Sequence, residues 1–400
     1  MNVQTLTDAI LSNMPEVGKY QSNFLRENFL LQCQLHGRHN FLNMSRYSGF
    51  NEGTFHNNYK KDFDFFEFNR QLVDLYSSGE NVLAFDPSFV NKRGKYTPGL
   101  GYFWSGCAGT TKRGLEIGGF ASVDIINNTA LHLIADQTLA SDDYTSLLKY
   151  YAALVCLRAE DLQKVSNRLA VDAYFSRAPF VDATCAVGFT IISRLRKDAN
   201  LSYLYVGPHP KRKGPKTKYA GKFDPKNPDF SFFTCCVEEE DFRIFEATLY
   251  SVSMKRKIRV ALKHEYRADG SLKTYKIYFS TDLTMLGAEI YLSYKGRFQI
   301  EFLYRDSKQF TGLEHCQSKS SAKMHFHYNT ALTTVSIAKA LYHLSQPIEE
   351  RNPFSMADVK TEHLNKLLWD LIITKCGIDP HKPLIIEMKK NFLSFGKIRA

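Results

Sequence analysis

Between residues 81 and 194, short apolar runs, polar turns and one helical stretch follow one another in an order that few folds can take. Apolar runs at 82–85, 115–125 and 131–134 read as strands set apart by glycine-rich or polar turns. A long helix is expected from about Asp143 to Asn167, then a strand at 169–172, a short helical stretch near Pro179 and a further strand at 189–194. Three strands, a crossover helix, a strand, a helix and a strand make an α/β pattern around a mixed sheet.

The flanks have a different texture. Residues 1–75 read as helical, with apolar side chains at helical spacing over 24–36 and a short unit over 40–61 split by the turn Ser48-Gly49-Phe50. Asn51 can cap a helix carrying Thr54, His56, Asn57, Asn58, Lys60 and Lys61, the outline of a recognition helix or, equally, of a polar surface helix. Residues 196–283 read as a β-rich block. It opens on a Lys/Pro/Gly-rich segment over 208–228 and carries a hairpin signal at Asp269-Gly270. Its basic lip holds Lys211, Arg212, Lys213, Lys216, Lys218 and Lys222, although a solvated loop is the ordinary reading of any such charge run. Helices resume near Thr284, and a last amphipathic helix is expected between a cap at Ser355 and a stop at Gly377. The expected division is 1–75 helical and DNA-binding, 76–195 first part of the core, 196–283 insertion, 284–345 second part of the core with the catalytic helix, and 346–400 a C-terminal helical region.

Composition narrows the chemistry. The chain has 400 residues, 44% of them hydrophobic, and no apolar run near the roughly 18 residues a membrane span needs. Neither a secretory signal nor a transit peptide is visible in the opening MNVQTLTDAI, so the chain is expected to stay in the cytoplasm, away from membranes. Eight cysteines lie scattered without a C-x-x-C pair, and the adjacent Cys235 and Cys236 have no evident ligand partners. A net charge of +11 favours a polyanionic partner, of which phosphate is the commonest. Walker loops, G-x-G-x-x-G turns and H-E-x-x-H helices are missing from the sequence.

Two carboxylates stand out. Asp86 follows Val82-Leu83-Ala84-Phe85 and Asp172 follows Leu169-Ala170-Val171, so two apolar strands each deliver an aspartate. Either alone reads best as a turn or capping residue; two in parallel circumstances point to charges that are paired or bind a metal. The stretch near residue 300 adds a third. At 100° per residue, Tyr294, Arg297, Glu301 and Lys308 share a stripe about 60° wide. Most of the remaining circumference is apolar: Tyr291, Leu292, Phe298, Ile300, Phe302, Leu303 and Tyr304. A helix apolar over so much of its surface is expected to be buried, its polar stripe facing something polar within the molecule. A carboxylate flanked by two cations and a phenol suits a divalent metal bridging to phosphate.

The spacing Tyr294-x2-Arg297-x3-Glu301-x6-Lys308 resembles the YREK signature of bacterial insertion-sequence DDE transposases. The likeness extends over 279–282, over 294–317 (YKGRFQIEFLYRDSKQFTGLEHCQ) and around Asp86 and Asp172-Ala173-Tyr174-Phe175, within roughly residues 80–340. It implies a ribonuclease-H-like core, which the strand order also suits. By this resemblance Asp86, Asp172 and Glu301 form the catalytic and metal-binding triad, and residues 196–283 are the β-rich insertion between the second aspartate and the glutamate. It also implies two Mg²⁺ ions per site with Mn²⁺ able to substitute, and DNA partners: terminal inverted repeats and target DNA. A homodimer in the synaptic complex is implied as well, in a bacterial cytoplasm and nucleoid-associated when bound to DNA. Tyr294, Arg297 and Lys308, with Lys211, Arg212 and Lys213 of the basic lip, would contact DNA or its phosphates. The sequence departs from some relatives, in which a tryptophan of the insertion stacks on a flipped base; its two tryptophans, Trp104 and Trp369, both lie outside 196–283. Position 298 is Phe where relatives often have Trp.

The implied reaction is cleavage at the ends of an insertion sequence followed by transfer of the 3′-hydroxyl ends to target DNA, both steps phosphoryl transfers. A nuclease of the same fold that only hydrolyses DNA, and a non-catalytic DNA-binding derivative, are the competing readings. A glycosidase would also use paired carboxylates but is disfavoured by the net positive charge and the two cations of the stripe.

Overall fold

A computed structural model describes residues 1–139, 146–208 and 216–398. Five helices open the chain: α1 (Val3–Leu11), α2 (Lys19–Gln34), α3 (Phe41–Arg46), α4 (Glu52–Asn58) and α5 (Phe65–Tyr76). Asn51 caps α4 by accepting the Thr54 N–H at 2.9 Å, while Phe55 and Tyr59 are buried against Phe24 and Phe41. His56, Asn57, Lys60 and Lys61 remain exposed.

Strands follow: β1 (Asn81–Val90), β2 (Gly101–Ser105), β3 (Thr110–Asp124) and β4 (Thr129–Gln137). The sequence pattern missed β2, a five-residue strand in a glycine-rich stretch. The expected long helix is two shorter ones, α6 (Leu147–Leu157) and α7 (Ala159–Gln163), and its expected start at Asp143 lies outside the described residues. Then come β5 (Arg168–Val171), α8 (Ala178–Ala186) and β6 (Thr190–Leu195). The block after residue 196 contributes β7 (Leu201–Leu204), β8 (Tyr219–Lys222), β9 (Thr234–Glu238), β10 (Phe242–Ser251), β11 (Arg256–Tyr266) and β12 (Leu272–Ser280).

The twelve strands among the described residues belong to one sheet, ordered β2-β3-β1-β5-β6-β12-β11-β10-β7-β8, with β4 added to β3 and β9 to β10. Within it β4, β3 and β1 run antiparallel while β1, β5 and β6 run parallel, so the sheet is mixed, as the strand and helix order predicts. The strands of residues 196–283 join through β12, which lies antiparallel to β6.

Helices complete the chain: α9 (Gly287–Arg297), α10 (Gln299–Phe310), α11 (Ser321–Lys339), α12 (Met356–Cys376) and α13 (Pro383–Ser394). Ser355 caps α12 through the Asp358 N–H at 3.2 Å, and Gly377 ends it in the left-handed conformation at φ 62°. The chain continues beyond the expected last helix into α13. A single helix through residue 300 was also expected; instead the helix steps at Phe298, between α9 and α10.

Alternation along β1 and β5 decides where the site can form. Leu83 and Phe85 face the layer of α6 and α8, where Phe85 packs on Phe120, Tyr151 and Phe175. Val82 and Ala84 point to the opposite face, covered by α9, α10 and α11. Side chains two apart on a strand share a face, so Asp86 falls on the α9–α10 side. In β5, Leu169 and Val171 face the first layer and Ala170 the second, which carries Asp172 to that second side. Parallel pairing of Ala84 with Ala170 keeps the two aspartates in step.

Candidate active site

Asp86 does not end its strand, as its place after an apolar run predicts; β1 continues to Val90 and pairs Asp86 with Gly119 of β3. The Asp86 carbonyl accepts a 2.6 Å hydrogen bond from the Tyr304 hydroxyl of α10. A Cβ at position 119 would lie 2.2 Å from that hydroxyl, so only glycine lets α10 settle this closely on the sheet. Asp172 follows β5 directly and accepts from the Tyr294 hydroxyl at 3.2 Å. Its own carbonyl takes the Ser193 hydroxyl of β6 at 3.1 Å, which fixes the turn.

The helical stripe meets these strand positions. Arg297, the last residue of α9, is 7% exposed. It donates to Glu301 at 2.9 Å, approaches Asp86 at 3.7 Å and lies 5.7 Å from the centre of the Tyr294 ring. Lys308 donates to the Phe89 carbonyl at 2.7 Å and lies 3.8 Å from Glu314. The helix pair is less enclosed than its apolar surface predicts, since Leu292 and Phe298 are about half exposed. Its polar stripe nevertheless faces inward, because Tyr294 meets Asp172 at the end of β5 while Arg297 and Lys308 meet Asp86 and Phe89 of β1.

Electrostatics make Asp86 the pressured group. Burial pushes its pKa up to about 7; Arg297 opposes this, and Glu301, Asp172 and Glu116 add to it. Arg297 in turn is held protonated: burial works against its charge, but Asp86, Tyr294 and Glu301 outweigh that and raise its pKa. Its Nε and Nη1 are buried without a hydrogen-bond partner. Among the described residues, no three His, Cys, Asp or Glu side chains close tightly enough to hold a metal ion; Arg297 stands between Asp86 and Glu301.

Among the described residues, recesses open beside this cluster. A cavity of about 1090 Å³ is lined by Asp86, Glu301 and Lys308 together with Lys92, Trp104 and Arg113. A smaller one of about 370 Å³ is lined by Asp172, Tyr294 and Arg297 with Arg194, Lys263 and Lys276. Lys211, Arg212 and Lys213 of the basic lip lie outside the described residues. The sequence reading overlooked Gly119, Tyr304, Glu116 and the β2–β3 wall of the larger cavity. A signal existed for Gly119, because a Gly118-Gly119 pair inside a strand marks a close approach.

Among the described residues no helix is long and apolar enough to cross a membrane. No family model matches the chain, and no curated protein matches it. Among solved structures the chain is similar to a piggyBac transposase synaptic complex with hairpin DNA. That likeness has 12% identity and a TM-score of 0.38, covering 99% of this chain and 83% of that one. So distant a likeness leaves the functional reading to rest on the site itself.

Proposed function

We propose that the chain is a DDE transposase that cleaves DNA at the ends of a mobile element and joins the freed 3′-hydroxyls to target DNA. Asp86, Asp172 and Glu301 are its proposed catalytic carboxylates. The observation that carries this reading is the meeting of the two strand-borne aspartates with the Tyr294–Arg297–Glu301–Lys308 stripe on one face of the sheet. The order β4-β3-β1-β5-β6, antiparallel then parallel around a crossover helix, supports a ribonuclease-H-like core.

Asp86, Asp172 and Glu301 are a hard, oxygen-only donor set, and the pKa of Asp86 is raised by burial first and by the neighbouring Glu301, Asp172 and Glu116 charges after it. Such a set fits Mg²⁺, or Mn²⁺ in its place. Asp86, Asp172 and Glu301 would hold two ions once Glu301, whose side chain is 39% exposed, turns from Arg297. Bound there, the ions would activate the attacking oxygen and stabilise the leaving one. The chain's own groups do the rest. Arg297, released from Glu301, offers its fork to a phosphate, and Lys308, seven residues beyond Glu301, offers a point charge. Tyr294 orients Asp172, and Tyr304 anchors the backbone at Asp86. Two element ends need two active sites, which makes a homodimer on DNA part of the proposal. The exposed face of α4 and the basic lip are proposed to recognise the ends, in a bacterial cytoplasm and on its nucleoid.

The test is direct. Asp86→Asn, Asp172→Asn and Glu301→Gln each remove a carboxylate at nearly constant volume, so each is expected to abolish Mg²⁺-dependent cleavage of labelled end DNA while leaving binding largely intact. Robust cleavage by any purified variant removes that residue from the triad.

A further inference from the structure

We infer that the β2–β3 hairpin is a binding site for unpaired DNA, with Trp104 as the platform on which a base stacks beside the carboxylates. The inference deepens the cleavage reading above but rests on separate side chains. Alternation along β2 buries Phe103 and Ser105 and leaves Tyr102 and Trp104 on one open face, 73% and 63% exposed. Pairing sets Tyr102 opposite Arg113 and Trp104 opposite Thr111, so an aromatic row and a cation share that face.

The position of this face gives it meaning. Trp104 and Arg113 line the same cavity as Asp86, Glu301 and Lys308, with Lys92 and Lys112 on its walls. A tryptophan open to water forgoes most of what its ring gains by burial. Trp369, the other tryptophan in the sequence, is only 7% exposed. A flat aromatic face among cations is the arrangement that holds single strands: each phosphate meets a positive charge, and any base can lie on the ring whatever its identity. A paired base is already stacked within its duplex and cannot lie on the indole. The site therefore selects frayed or displaced nucleotides over intact duplex, without reading their sequence.

The two tryptophans make the test clean. In the full chain carrying Trp369→Phe, all tryptophan emission comes from Trp104; single-stranded octathymidylate, added with a metal chelator so that nothing is cut, is expected to quench it saturably. Trp104→Leu, measured by anisotropy of the labelled oligonucleotide, is expected to bind about 5- to 150-fold more weakly, the span of one base–aromatic stack. Trp104→Phe should recover much of that loss, and duplex of equal length should bind wild type and Trp104→Leu alike. Unchanged emission, an unchanged Kd in Trp104→Leu or an equal loss for duplex overturns the inference. Quenching in a protein that cuts no DNA would keep the stacking site and overturn the cleavage reading. Triad-dependent cleavage without quenching would do the reverse.

Discussion

Arg297 is the residue on which the site turns. It is nearly inaccessible, carries two buried nitrogens with no hydrogen-bond partner, and its charge opposes the upward pressure of burial on Asp86. Arg297→Ala is expected to slow single-turnover cleavage on the order of 10²-fold, the scale of losing one preorganised charge donor. Arg297→Lys should remain impaired, because a point charge cannot span two acceptors as a fork does. The pH profile separates this from a merely structural loss. With Arg297 gone Asp86 titrates still higher, so the acid limb of the rate should move to higher pH, and wild-type rates in Arg297→Ala would overturn the role. Much of this neighbourhood was legible in the sequence, since helical periodicity alone puts Tyr294, Arg297, Glu301 and Lys308 on one stripe and alternation puts each aspartate on a definite strand face. What periodicity could not supply was the long-range packing that sets Tyr304 against Gly119, or the approach of Arg297 to Asp86.

At the scale of elements, β4 shows how the sheet closes a border. One flank of β4 pairs with β3; the other meets side chains instead of a strand. Asn329 of α11 accepts the Ala135 N–H at 2.8 Å and donates to its carbonyl at 2.9 Å. Asn69 of α5 donates to the Leu133 carbonyl at 3.0 Å, Ser336 accepts the His132 N–H at 2.8 Å and Lys339 donates to the Ala130 carbonyl at 3.0 Å. These buried polar residues look out of place on apolar helices until the strand they serve is known. Asn329→Ala leaves a backbone donor and acceptor unpaired, and at roughly 1–3 kcal/mol for each such group it is expected to destabilise by about 2–6 kcal/mol. A free energy of unfolding in urea within about 0.5 kcal/mol of wild type, at unchanged slope, would mean that water replaces the side chain. Element identity was readable from apolar rhythm, but ends and breaks were not. Asp86 sits mid-strand because β3 pairs along the whole of β1, and α9 and α10 part at Phe298 although the apolar pattern runs through it. The five-residue β2 exists because it pairs with the start of β3, which no local pattern records.

For the molecule as a whole, buried histidines set the acid limit. Burial holds His132, His327 and His363 down to about 4. Their unfolded pKa is about 6.5, so between pH 6.5 and 4 the unfolded chain binds more protons than the folded one. Their contribution to stability is complete above pH 6.5 and is lost as pH falls toward 4. Asp86 and Glu116, raised instead, act with the opposite sign and take back part of the effect. Thermal unfolding in the absence of metal is expected to give a Tm lower at pH 5 than at pH 6.5, and a flat or rising Tm toward pH 5 would overturn that balance. The single twelve-stranded sheet has a consequence for how the chain is made. β6 pairs with β5 soon after both are synthesised, but its other side waits for β12, about 80 residues downstream. At the usual 5–20 residues per second, a nascent chain on the ribosome would hold that side open for roughly 4–16 s. During that interval the apolar run of β6, with Ile191 and Ile192, offers an unpaired edge to any neighbouring nascent chain on the same messenger, so slow translation between codons 196 and 271 would favour aggregation over folding.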